Sequence, residues 1–347
     1  MRLQVPLSLV LLLILNSLMN QAFGKEDSVI RAGIIGLDTS HVTAFTQSLN
    51  DPKANGPRAR VQVVAAFPGG SPDIASSRDR IEGFTKQLSD SGIEIVNSIP
   101  ELLERVDVVL LESVDGRPHL EQALPVFRAR KKLFIDKPLA GSLVDALAIR
   151  ALGEKYQTPW FSSSSLRFSP GTYEYRIDKA KAGEVLGAVA WSPCSLEPTH
   201  PDLYWYGVHG METLYTLMGP GCLQVSRSNT PGLDCAVGTW TDGRIGTFYG
   251  LRAGKPGYGA TIFAEKGIFQ AGPYAGYEPL VEQIAQFFVT GDVPVDADET
   301  IEMFAFMTAA DLSKERGGNP VTIEEVMNDA QAQVATRLME VGETLSP

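Results

Sequence analysis

The chain has 347 residues, 44% of them hydrophobic and 20% charged, and a formal net charge of −11. This is an ordinary globular composition, long enough for two domains, and it excludes a disordered or low-complexity chain. The acidic balance argues against a nucleic-acid partner, since the longest basic run, Arg128 to Lys132, suits a helix C-terminus.

Residues 1–24 read as a signal peptide. Arg2 is the only charge, Leu7 to Leu15 is apolar apart from Ser8, and Ala22-Phe23-Gly24 has the small-x-small form of a cleavage site. Asn16, Ser17, Asn20 and Gln21 interrupt the apolar run well before the ~20 residues a membrane span needs. The expectation is an exported protein, periplasmic or extracellular, with no membrane span after cleavage near Lys25. An oxidising compartment permits one disulfide among the three cysteines. Cys222 and Cys235 are the nearer pair; three buried thiols are the alternative.

Residues 28–168 alternate strand and helix. Ile30 to Ile35 is a short apolar run of the kind buried on both faces of a sheet. A turn follows at Gly36, and Val42, Phe45 and Leu49 then recur at helical spacing. A dinucleotide-binding domain places its phosphate loop at such a strand–turn–helix, because the helix N-terminus offers free N–H groups. Here the loop is Gly36-Leu37-Asp38-Thr39-Ser40-His41, with only the first of the usual glycines. Asp38 stands where a pyrophosphate approaches bare backbone. Its charge ~4 Å from a phosphate would cost about 4 kcal/mol at an effective dielectric of ~20. Protonated His41, or an Asp38 turned back to cap the helix, would remove that cost; alternatively Asp38 is only an N-cap and the loop binds nothing.

Further strands are expected at Val61–Phe67, Ile93–Val96, Val106–Ser113, Leu133–Asp136 and Pro159–Ser162, giving a Rossmann-type parallel sheet with ligands beyond the strand ends. Residues 169–347 follow a different grammar. A helix from Pro170 to Ala182, a strand near Val185–Ser192 and a helix over Gly207–Met218 precede hairpin-linked strands, with Asp242-Gly243 as one turn. Three amphipathic helices close the chain. This is a C-terminal α/β domain with a largely antiparallel sheet.

Asp136-Lys137-Pro138, Arg167-Phe168-Ser169-Pro170, Gly183-Glu-Val-Leu-Gly187 and Gly207-Val-His209-Gly-Met-Glu212 occur in this order on these elements. The chain thereby resembles the family of glucose–fructose oxidoreductase, inositol dehydrogenase and the MocA proteins, over about its whole length beyond the leader. The resemblance implies NAD or NADP, a sugar or polyol substrate, and subunits packed through an open C-terminal sheet as a homo-oligomer. It places Gly36 to His41, Ser113, His119, Asp136 and Lys137 at the cofactor, and Arg167, Trp205, Tyr206 and Glu212 at the substrate.

The residues carry matching chemistry. Lys137 follows a parallel strand into the cleft, where a lysine can hold a hydroxyl or share its proton. His209 can serve as general base or acid, and Glu212 lies on the same helix face at i+3. Where the family has an aspartate assisting this histidine, the chain has Trp205, leaving Glu212 or Asp202 as substitutes. The second strand ends in Phe67-Pro68-Gly69-Gly70-Ser71 with no acid for ribose hydroxyls. Arg78 and Arg80 downstream read as solvated helix residues, or as partners of an NADP phosphate. His41, His119, His200 and His209 all fall near the cleft, yet no metal-binding spacing joins them. The reading is an exported NAD(P)-dependent oxidoreductase acting on a carbohydrate or polyol. Its rivals are a redox-silent carbohydrate-binding protein and a cofactor-retaining enzyme of redox-neutral chemistry, such as glycoside cleavage or epimerisation.

Overall fold

The computed structural model describes residues 29–344, so the expected signal peptide lies outside the described residues. The first sheet contains β1 (Ile30–Ile35), β2 (Val61–Phe67), β3 (Glu94–Ile95), β4 (Val108–Leu111), β5 (Leu133–Asp136) and β6 (Trp160–Ser163). All pairs are parallel, in the order β3-β2-β1-β4-β5-β6. The order reverses between β1 and β4, which opens a crevice above their C-terminal ends. Between strands run α1 (His41–Leu49), α2 (Ala75–Asp90), α3 (Ile99–Leu103), α4 (His119–Arg128) and α5 (Leu143–Tyr156). Ser98 and Ser142 start α3 and α5 by accepting from the N–H groups of Glu101 and Asp145.

Strand alternation sorts the core. Ile34, Leu110, Phe134 and Phe161 point to the α1 face, while Ile35, Leu111 and Ile135 point to α4 and α5. The next row, at the C-terminal edge, is Gly36, Glu112 and Asp136, on the α1 face.

The expected helix over Pro170–Ala182 is two short ones, α6 (Tyr173–Ile177) and α7 (Lys179–Ala182). Asp178 leaves the helical conformation and caps α7 by accepting from Ala180 N–H, the competition short polar side chains offer. The second sheet contains β7 (Val185–Pro193), β8 (Cys222–Thr230), β9 (Leu233–Trp240), β10 (Ile245–Leu251), β11 (Gly259–Ala264), β12 (Gly267–Gln270) and β13 (Val321–Thr322). Its order is β12-β11-β7-β10-β9-β8-β13, antiparallel except where β7 meets β10. The helices α8 (Asp202–Trp205), α9 (Val208–Met218), α10 (Glu278–Thr290), α11 (Ala297–Glu315) and α12 (Ile323–Glu340) complete the fold. Residues of α9 and α11 cover the inner sheet face through Met211, Leu214, Phe304 and Phe306.

The last helices do not stay with the second sheet. Leu280, Ile284 and Phe287 of α10 join the core beside Phe45 and Phe134, and α12 packs along α5. Arg337 of α12 pairs with Asp145 and Glu121, and Glu343 receives Arg128, Lys155 and Tyr156. The first domain is thus covered by chain from beyond residue 168.

The three cysteines are free. Cys222 points into the core and Cys235 lies on the opposite sheet face, a relation no disulfide bridges without moving the backbone.

Candidate active site

A cavity of about 300 Å³ lies between the C-terminal edge of the first sheet and the start of α9. Thr39, Ser40 and His41 line it from the β1 turn, Ser76 and Arg80 from α2, and Lys137 from the end of β5. Trp205, Tyr206, His209, Tyr258, Tyr274 and Tyr277 form the facing wall. No carboxylate lines the cavity, so Arg80 and Lys137 make it cationic in a chain of net charge −11. A larger groove, about 560 Å³, opens between α5, α8, α11 and α12, away from the strand ends.

The turn after β1 settles where Asp38 points. Gly36 has φ of 89°, and a Cβ there would overlap Ser113, so β1 and β4 approach through a glycine. Asp38 is buried, accepting from Ser77 Oγ at 2.7 Å and from Val114 N–H at 2.9 Å. Burial raises its pKa, partly opposed by those two bonds. Asp38 therefore neither caps α1 nor meets His41, and its charge is directed away from the cavity. The N–H groups of Thr39 and Ser40 make no hydrogen bond among the described residues. His41 is committed elsewhere: Nδ1 lies 2.6 Å from Asp136 Oδ2, with the ring stacked on Phe45 and edge-on to Tyr277. Burial pushes the Asp136 carboxyl up, but His41, Lys137 and their hydrogen bonds outweigh it and hold it below its ordinary value.

Lys137 and His209 come together across this cavity. Both are buried, at 8% exposure each, and neither is ion-paired among the described residues. His209 Nδ1 lies 2.8 Å from Ser164 Oγ, and Tyr206 meets the ring edge-on at 4.9 Å. Burial, then the charges of Lys137 and His41, hold the imidazole well below its ordinary pKa, so the ring is neutral near pH 7.

Other expected site residues lie outside the cavity. Arg167 and Glu212 are paired in a buried network with Glu299 and Arg176 at the domain junction, 2% and 1% exposed. In this structure both side chains are turned into that network and neither lines the cavity, where the sequence had placed them at the substrate. Glu212 therefore does not assist His209, and neither does Asp202, which pairs with Arg227 and Lys314. His119 is fully buried, its two ring nitrogens 3.1 and 2.9 Å from the carbonyls of Leu139 and Ser113. Ser113 donates to Gln122, and Leu37 is core. These three support the loops rather than line the cavity. Arg80 does line it, whereas Arg78 pairs with Asp79 in solvent. Tyr258, Tyr274 and Tyr277 escaped the sequence reading because isolated tyrosines carry no spacing signal, and Ser164 could be placed only as part of the strand-end run Ser162 to Ser165, not against His209. Among the described residues, no group of three His, Cys, Asp or Glu side chains is placed to hold a metal ion.

The residues fit the anionic part of a dinucleotide. Two free N–H groups, the N-terminus of α1 and Arg80 border one cavity, and the single carboxylate of the loop is turned away. At the ribose end the fit differs from the usual one. Ser71 Oγ donates to Asp115 at 2.5 Å and Arg117 joins Asp73 to Asp115, so the β2 and β4 loops are tied together.

No family model and no curated protein matches the sequence. Solved structures do match in fold. A putative myo-inositol dehydrogenase from Sinorhizobium meliloti 1021 superposes with a TM-score of 0.70 at 15% identity, covering 85% of this chain and 100% of that one. A probable dehydrogenase from Thermotoga maritima gives 0.69 at 19% identity, covering 86% and 100%. A myo-inositol dehydrogenase from Lactobacillus casei, in complex with NAD(H) and myo-inositol, gives 0.67 at 15% identity, covering 85% and 96%. The chain shares the two-domain fold of these dehydrogenases.

Proposed function

We propose that this protein is an NAD(P)-dependent oxidoreductase of the inositol-dehydrogenase kind, acting on a carbohydrate or polyol. The observation that carries the reading is the meeting of Lys137 and neutral His209 across a cavity that also reaches the N-terminus of α1. Thr39, Ser40 and Arg80, which line the cavity, would hold the cofactor's phosphates, and Lys137 on the same cavity would lie toward its reactive end. NAD(P), when bound, supplies the hydride acceptor or donor. The aromatic wall of Trp205, Tyr206, Tyr258 and Tyr274 offers faces suited to the apolar side of a sugar ring.

The proton chemistry belongs to this chain's side chains. Lys137 Nζ donates to the reacting oxygen and stabilises it as its proton leaves. His209 is neutral and takes that proton in the oxidising direction; Lys137 beside it keeps the imidazolium from persisting, so the proton passes on. Ser164 fixes the ring through Nδ1, leaving Nε2 for the cavity.

Denaturing the purified protein and assaying the supernatant for NAD and NADP, then scanning polyols and sugars with added cofactor, tests the reading. Released or tightly binding cofactor with polyol-dependent reduction is expected. No cofactor binding and no turnover would discard it in favour of a redox-silent sugar-binding protein. We also propose export, on the signal-like residues 1–24. N-terminal sequencing of the extracytoplasmic fraction should find a start near Lys25; an intact Met1 on cytoplasmic protein would refute export.

A further inference from the structure

Glu112 is the residue the proposed chemistry leaves unexplained. It follows β4 at the centre of the first sheet, is fully buried, and neither of its carboxyl oxygens has a hydrogen-bond partner among the described residues. A buried carboxylate without a partner is costly, and such a group ordinarily carries its proton instead. Its neighbour across the sheet reinforces this. Leu111 pairs with Ile135, so one residue further on Glu112 stands beside Asp136 on the same sheet face. Asp136 is fully buried as well, and while Oδ2 meets His41, Oδ1 has no partner. One side chain thus has a proton with no acceptor, and the adjacent one has an acceptor with no donor.

We propose that Glu112 is a neutral carboxylic acid whose O–H donates, directly or through one buried water, to Asp136 Oδ1, forming a Glu112–Asp136–His41 relay. Asp136 then accepts at both oxygens and stays ionised. An ionised Asp136 can only accept, so His41 carries its proton on Nδ1 and presents Nε2 to the cavity. His41 becomes a second imidazole in the cavity whose tautomer is set from inside the sheet. Glu112 acts through Asp136 and is a positioning residue. The titratable groups around the relay are Asp38 from the β1 turn, Lys137 beside Asp136, His119 from α4 and His209 from α9. The inference concerns this chain alone and holds whichever substrate enters.

Two spectroscopic measurements on the intact protein test it without any assay of turnover. The first is the infrared difference between parent and Glu112→Gln at pH 8. Loss of a protonated-carboxyl C=O band in the variant is expected; loss of a carboxylate band would overturn the proposal. The second is the far-downfield proton NMR signal of the His41–Asp136 bond, identified by its absence in His41→Gln. Glu112→Gln, whose amide still donates, should leave this signal near its parent position. Glu112→Leu, which cannot donate, should move it. An unmoved signal in a folded Glu112→Leu protein would refute the bond to Asp136. Should Glu112→Leu fail to fold, the infrared arm still decides the protonation state on which the relay depends.

Discussion

Lys137 and His209 face each other across one cavity although 72 residues of chain separate them, and each could be picked out from sequence for a local reason. Lys137 follows a buried apolar strand, where a lysine has nowhere to go but the cleft. His209 opens a helix beside glycines and aromatics. Lys137→Ala and His209→Ala should each lower turnover by roughly 10²-fold or more, the range of general acid–base groups, with the fold intact by circular dichroism. Near-parent turnover in both would refute the assignment. Ser164 was legible as a strand-end residue but not as the partner of His209, because that bond is made across 45 residues by a side chain with no pattern of its own. Asp38 was legible only as a problem: its resolution needs Ser77 and Val114, which sequence does not place beside it. The Glu112 side chain carries a second, signed prediction. Burial and the neighbouring Asp136 and Asp38 charges raise its pKa well above the ordinary value. Between that ordinary value and the raised one, the unfolded chain releases the proton and the folded chain keeps it. Stability is therefore lost as pH rises through this window. Glu112→Gln removes the loss, so its melting temperature should exceed the parent's at pH 7 and converge with it below about pH 4.5. A variant less stable at pH 7 with no convergence would contradict it.

At the scale of elements, the strands and long helices follow from period and caps. The alternation of β9, buried at every second residue, and the capping serines of α3 and α5 are local facts. The return of α10 and α12 to the first domain is not local. It depends on which apolar faces meet, and one amphipathic helix resembles another until packed. The same limit explains Arg167 and Glu212, which sequence placed at the substrate. Their motif marks the junction where β6 hands over to the second domain, and the junction is held by four charges, Arg167, Glu212, Glu299 and Arg176, under 4% exposure for the first three. Removing one partner of a buried ion pair leaves the other charge uncompensated, at roughly 3–5 kcal/mol. Glu212→Ala should lower the melting temperature by several degrees while Glu212→Gln, which still accepts from Arg167, loses less. Equal stability of Glu212→Ala and the parent would show that Glu212 is not held in this network.

Across the whole molecule, the second sheet has, among the described residues, one face covered by α9 and α11 and no helix on the other. On β7, β9, β10 and β11 the outward positions include Leu186, Val189, Trp191, Val237, Ile245, Thr247, Tyr249, Thr261 and Phe263, and no charged residue. Leu186, Ile245 and Phe263 are 55%, 54% and 40% exposed. In a chain of net charge −11, a broad uncharged face is where two copies can approach without repulsion, and an apolar patch of this extent marks an interaction surface. The occupant proposed is a second copy of the same chain, sheet against sheet, which gives a closed two-fold contact burying the same residues twice. Because the contact would be apolar, it should survive high salt, unlike one built on ion pairs. Sedimentation of the parent at micromolar concentration should show a homo-oligomer, little changed between low and high salt. Ile245→Asp with Phe263→Asp places a charge on β10 and another on β11, the two strands that flank β7, doubled across the symmetry axis, and should yield monomer with unaltered secondary structure. A monomeric parent, or a double variant that remains assembled, would show that this face does not join the subunits.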